Sequence, residues 1–415
     1  MTAQPTNMQT QAEKALLEIL GGQPLTGARE IAAGRLRESG LPHRRVEEWK
    51  YTDLRAYLKD FPTLADQSGA VLTREPLVPA DVSLQVVNGH AQSVPGELPD
   101  GVSISVAKTD NGTAFHTKPS TTVDLNTALS NGGYSIAISK ADKVPVIFID
   151  HIVDGTEAVT AAFRHSITVE SGANATLVER FSGPSDVAYL VSGGLSAFVG
   201  DGAFLTHTRV VNEGPQSSHL GAIGARLGAN ATYEPFVMTL GSYLVRTDVH
   251  LTFEGEHSHG GVRGATLIKG DEHTDMTLEV DHAAPNCTSI EQFKSVIDGR
   301  AQAVFQGKIM VKQIAQKTDA KMMSQGLLLS ENGEFLNKPE LEIFADDVVC
   351  GHGATCGDLD DNLLFYLLSR GIPRPVAETM MVQAFVSEAI EDTEQPEIIE
   401  ALEAMVEDWL ATRQA

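Results

Sequence analysis

The chain has 415 residues, 42% hydrophobic and 21% charged, which is enough for a sizeable core in one large or two to three ordinary domains. Fifty-five acids against 31 bases give a net charge of −24, which excludes the basic face that a nucleic acid or an anionic membrane would require. Three cysteines are too few for a disulfide framework and point to a reducing, cytoplasmic setting.

The opening residues, MTAQPTNMQT, are polar and lack the basic-then-apolar order of a secretory leader, and no run reaches the ~18 apolar residues of a membrane span. From about residue 8 to 60 the spacing predicts helices: QAEKALLEIL carries apolar residues three and four apart, GG interrupts it, and TGAREIAAGRLRESG resumes the pattern. HRRVEEWKYTDLR follows, with Trp49 and Tyr51 among charges. From about 80 to 345 long helical patterns vanish, and short alternating segments such as SITVE, HLTFEGE and KIMVKQI recur between glycines.

Three turns in this region are alike: SGANATL (171–177), GDGAFL (200–205) and LGANATY (227–233). Aligned, they set Ala175, Ala203 and Ala231 at equal steps of 28 residues. Stacked coils, each leaning its apolar face on its neighbours, would produce such a step, and so would a β-sandwich with similar turns. The constant step favours a parallel β-solenoid, although it is not kept beyond residue 240. Helices return near 358, in DLDDNLLFYLLSRG, RPVAETMMVQAFVSEAIED and PEIIEALEAMVEDWLATR. In the last of these Ile398, Leu402, Met405 and Trp409 form an apolar stripe with an acidic back, suited to packing on the preceding helix or to a partner's groove. The expected division is a helical region over 1–75, a β core over 76–357 and a C-terminal helical region over 358–415.

Several catalytic machines are missing. QGKI (306–309) lacks the rest of a phosphate loop, and neither a G-x-G-x-x-G after a strand nor a G-x-S-x-G occurs. His257 and His259 in EHSH would share one face of a strand, but no acid follows until Asp271, so a solvated turn is the better reading. VVCGHGATCG (348–357) is richer: Cys350 and His352 share a strand face and could meet one metal ion, with Asp346 and Asp347 just upstream. Two ligands cannot close a tetrahedral site, and Cys356 lies six residues on, past an expected glycine turn. Spacing alone leaves two readings open: small buried cysteines beside a turn histidine, or half a site completed by another chain.

KPELEIFADDVVCGHGATCGDLDDNLLFYLLSRGIP (338–373), AQKTDAKMMSQGLLLSENGEF (315–335), DHAAPNCTSIEQFKSVI (281–297) and EEWKYTDLR (47–55) together resemble the SufB/SufD family, and within it SufD, scaffold components of iron–sulfur cluster assembly. The resemblance implies a mainly β fold, a right-handed parallel β-helix flanked by N-terminal and C-terminal α-helical regions. It also implies a non-catalytic chain that pairs with SufB through the ends of the two β-helices and binds the SufC ATPase through its C-terminal helices, for which the stripe Ile398, Leu402, Met405 and Trp409 is the candidate. When isolated, the chain would pair with itself. His352 matches the family's functional histidine and Cys350 the cysteine before it. With a SufB cysteine they would host a transient iron–sulfur cluster, while the isolated chain would hold no cofactor tightly. Cys356 stands where the family more often has an apolar residue, so no role attaches to it. The rival reading is a metalloenzyme with an internal site of His257, His259, Cys350 and His352. A polysaccharide-cleaving β-helix fits less well, with aromatic residues at only 6%.

Overall fold

A computed structural model describes residues 9–66, 71–108, 120–393 and 395–413; residues 1–8 of the polar opening stretch lie outside them. Strands alternate between two sheets. The first, ten-stranded, runs from His90–Ala91 at one edge to Val349–Gly357 at the other, and the second, nine-stranded, runs from Val102–Lys108 to Glu334–Ile343. From Val146–Ile152 onward every strand pairs in parallel with the strand two places on in sequence, so each coil gives one strand to each sheet. This is a parallel β-helix.

A repeated turn holds the coils in step. Gly172, Gly202, Asn230, His257, Asn286 and Lys317 all take left-handed backbone, with φ between 55° and 71°. The N–H of each donates to a carbonyl one coil on, at Asp201, Ala229, Glu256, Pro285, Gln316 and Asp347 respectively. The next residue in each turn is small and fully buried: Ala173, Ala203, Ala231, Ser258, Cys287 and Thr318. Cys287 is thus a small packed side chain of this ladder. The structure corrects the alignment of the three alanines. Ala203 and Ala231 are equivalent, but the counterpart in the preceding coil is Ala173, whose carbonyl accepts the Phe204 N–H, and Ala175 stands beside Leu205. The coil length also varies: Ser218 pairs with Leu244, 26 residues on, and Gln302 with Glu334, 32 on.

The lumen is filled by inward residues of both sheets, among them Ile149, Phe163, Leu195, Val237, Phe253 and Phe305. The helical regions lie along the outer faces of the sheets rather than beyond their ends. On the second sheet rest α1 (Gln11–Gly21, with Thr10 and Glu13 forming a capping box), α2 (Gly27–Ser39), the short α3 (Leu54–Tyr57) and α4 (Thr121–Leu129), through Leu16, Leu36, Trp49 and Leu125 against Ala162, Leu190, Leu220 and Leu244. α4 falls in the stretch where the pattern predicted only strands. It is nine residues long, capped by Ser120 and buried on nearly every side between α2 and the sheet, so it carries no apolar stripe to read.

The EEWKYTDLR segment pins this layer down. Arg246, fully buried, stacks 3.9 Å from the Trp49 ring centroid and donates to Asp248 at 2.9 Å, to Asp275 at 2.6 Å and to the Glu48 carbonyl at 3.0 Å, while Thr52 donates to Asp275.

On the first sheet lie α6 (Arg374–Ile390) and α7 (Pro396–Arg413), reached through α5 (Asp361–Ser369). The apolar stripe of α7 faces inward: Ile398, Leu402 and Trp409 are buried and Met405 is half-buried, packed with α6 against outward sheet residues such as Phe236, Met238, Leu240 and Leu267. In the chain by itself the stripe expected as a docking face is thus engaged with the sheet. A sheet with apolar residues on both sides must be covered on both, and the stripe is that cover. Among the described residues no helix is long and apolar enough to cross a membrane.

Candidate functional site

The last coil has no successor among the described residues, so strands Glu334–Ile343 and Val349–Gly357 end the two sheets as bare edges. Within Val349–Gly357, Cys350 stands beside Ala320, His352 beside Met322 and Ala354 beside Ser324. All three neighbours are buried and point into the lumen. By register Cys350 and His352 therefore continue the inward columns of the β-helix, but no further coil covers them: His352 is exposed and Cys350 half-buried against the core. Burial pushes the Cys350 thiol up, opposed by a backbone hydrogen bond at Ala320 and reinforced by Asp319 and Glu291.

The other sequence candidates separate from this pair. No glycine turn precedes Cys356: the strand continues to Gly357, and at ~3.3 Å per residue Cys356 lies ~20 Å along it from Cys350. Asp347 is the next rung of the turn ladder and forms an ion pair with Lys317. His257 is an exposed left-handed turn residue. His259 is on the outward side of its strand, held by Glu234 at 3.1 Å and Thr288 at 2.6 Å. The register puts it three strands from Val349, on the face opposite Cys350. The four-residue internal site is therefore not assembled.

Two features escaped the sequence reading. Glu291 lies in the same inward column as His352, with Met322 between them, and is 1% exposed. Its carboxylate oxygens make no close hydrogen bond, and the Ser289 hydroxyl beside it, which also lies 3.0 Å from His282 Nε2, only partly offsets the burial. Burial pushes the Glu291 carboxyl up to about 8. The second feature is the exposed apolar surface of the C-terminal region, which lies on α5 and the start of α6: Phe365 is 73% exposed, Tyr366 52%, Val376 49%, Leu363 47% and Met380 44%.

The family described as SUF system FeS cluster assembly, SufBD core domain, matches residues 151–385. The iron-sulfur cluster assembly protein SufD of Escherichia coli is 30% identical over 365 residues, which cover 86% of each chain. An iron-sulfur cluster assembly SufBD family protein of Synechocystis is 27% identical over 92% of this chain and 91% of its own, and the SufD of Bacillus subtilis 26% identical over 65% and 62%. The matched core domain spans the coils from the strand holding His151 to α6, open end included, and on that ground the chain belongs to the SufB/SufD family of iron–sulfur cluster assembly proteins.

Proposed function

We propose that the chain is a non-catalytic scaffold subunit of a cytoplasmic SUF assembly complex. In this reading it pairs with SufB through the open end, binds the SufC ATPase through its C-terminal helical region, and contributes His352, with Cys350 beside it, to a cluster that forms at the junction and is passed on. The observation that carries the reading is the pair of inward columns left bare at the last coil. A thiol and an imidazole that would be core positions in any earlier coil are offered here to whatever covers the end. Two ligands make half a site, and a second β-helix placed on the same edge would bring the rest. The exposed Ile314, Phe344 and Val349 around that end, 68%, 62% and 65% accessible, suit such a junction. SufC docking is assigned to the apolar surface of α5 and α6, since the α7 stripe is engaged with the sheet. In isolation the same edge would pair two copies of this chain.

The test is the iron and sulfide content of the purified three-component complex carrying His352→Ala. The side chain is exposed, so the fold should change by no more than about 0.5 kcal/mol. Iron and sulfide should fall sharply while SufB and SufC stay bound. Wild-type content in the variant complex would overturn the assignment.

A further inference from the structure

Deep in the lumen, in the early coils, lies a polar group remote from the open end. His151, His165 and Glu179, on three successive strands, each place a ligand atom within 4.8 Å of the others. His151 Nε2 is 3.0 Å from His165 Nε2 and 3.6 Å from Glu179 Oε1. Two atoms each ~2.1 Å from one tetrahedral ion stand ~3.4 Å apart, close to the 3.6 Å pair, whereas the two rings at 3.0 Å would part slightly to admit an ion. All three residues are buried, and Glu179 Oε1 has no hydrogen-bond partner, whereas Oε2 takes His207 Nε2 at 2.7 Å and Arg209 Nε at 2.8 Å.

The outer ring nitrogens are fixed. The Arg180 carbonyl, 3.2 Å from His151 Nδ1, can only accept, so Nδ1 carries the proton and Nε2 presents a lone pair, the arrangement that orients a metal-bound imidazole. The Tyr134 N–H donates to His165 Nδ1 at 2.8 Å, which leaves the proton of that ring on Nε2, shared with His151. Burial lowers the basicity of both rings, that of His165 to about 4, and keeps them uncharged.

We propose that His151, His165 and Glu179 hold one divalent transition-metal cation inside the β-helix, at a site separate from Cys350 and His352. Binding expels the Nε2 proton of His165 to solvent, and that ring then ligates as an imidazolate. The imidazolate and Glu179 offset the ion's two charges, and the guanidinium of Arg209, held on the other carboxylate oxygen, leaves the buried group with a net charge of +1. Two imidazole nitrogens and one oxygen suit zinc, iron(II) or cobalt(II) and not magnesium or calcium, which require more oxygens. With every ligand buried, the ion enters as the chain folds and exchanges slowly afterwards. The isolated chain would then carry a resident metal that the family resemblance does not lead one to expect.

The experiment uses the full chain carrying Cys350→Ser and His352→Ala, refolded with cobalt(II) and passed through a chelating column. About one cobalt per chain should remain, with the visible bands of a low-coordinate nitrogen- and oxygen-bound ion, and Glu179→Gln or His165→Gln should reduce it to background. Should those two variants fail to fold, the doubly substituted chain still decides. Folded protein without cobalt overturns the proposal and leaves the three groups as a metal-free polar core. Because that chain lacks the terminal pair, failure here says nothing against the role of His352, and failure of the His352 test says nothing against this site.

Discussion

Glu291 shows what a single residue costs this fold. Its carboxyl is buried, and burial, only partly opposed by Ser289, raises it to about 8, against an ordinary value near 4.5. Below pH 4.5 folded and unfolded chains are both protonated there and the group costs nothing electrostatic. As pH rises from 4.5 to 8 the unfolded chain loses the proton and the folded chain keeps it, so stability falls through that window and levels off above it. At pH 7 the loss is on the order of 3 kcal/mol. Glu291→Gln removes the titration, so denaturant melts should show the variant gaining on the wild type steadily from pH 5 to 8. A constant difference across that range would mean that Glu291 is already ionised in the fold.

The turn ladder sets the behaviour of whole elements. His257 occupies a left-handed position, with φ at 60°, where its neighbours in the column include Gly202 and Asn230. A side chain there costs roughly 1 kcal/mol that glycine avoids, so His257→Gly should stabilise the chain by about 0.5–1 kcal/mol in thermal melts, and a loss would show that the ring makes contacts of its own. The C-terminal helices divide in the same physical way. Trp409→Ala in α7 should cost about 3–5 kcal/mol by opening the layer over the first sheet. Phe365→Ala on α5, 73% exposed, should leave stability within about 0.5 kcal/mol while weakening ATPase binding in a pull-down titration.

What was legible follows from which signals are local. A repeated turn of a left-handed residue and a small buried one can be read from three copies, and it revealed the solenoid. The same copies misled on register, because Ala173 and Ala175 are both small and buried and only the ladder hydrogen bonds tell them apart. Beyond residue 240 the ladder continues as His257–Ser258, Asn286–Cys287 and Lys317–Thr318, which keep the conformation and the size but not the letters. The apolar stripe of α7 was correctly seen as buried-or-docked, and nothing local could decide between a partner's groove and the chain's own sheet. Cys350 and His352 were found because strand alternation put them on one face. That this face is the lumen side of an uncovered coil, with Glu291 beneath, depends on a register across three strands.

At the scale of the molecule the layers leave little to bind with. Helices cover the outer faces of both sheets, each pinned by buried contacts such as Arg246 on Trp49, so among the described residues the end coil and the α5–α6 surface are the principal apolar areas still exposed. Val349, 65% exposed at the rim of the end coil, therefore offers a direct probe of pairing. Val349→Asp should shift the isolated chain from dimer to monomer in sedimentation at micromolar concentration, with the far-ultraviolet spectrum unchanged. An unaltered sedimentation coefficient would count against self-pairing through this edge. The opposite end is built differently: its outermost strands run antiparallel, and one of them, His90–Ala91, is only two residues long. The two tips therefore differ: parallel strands of ten and nine residues are bare at one, and antiparallel strands of two and seven residues stand at the other. If two rods pair at the bare tip, as proposed above, neither has an equivalent tip left to extend from, so growth along the axis through that contact would stop at two rather than run on into the fibres that open parallel sheets otherwise invite.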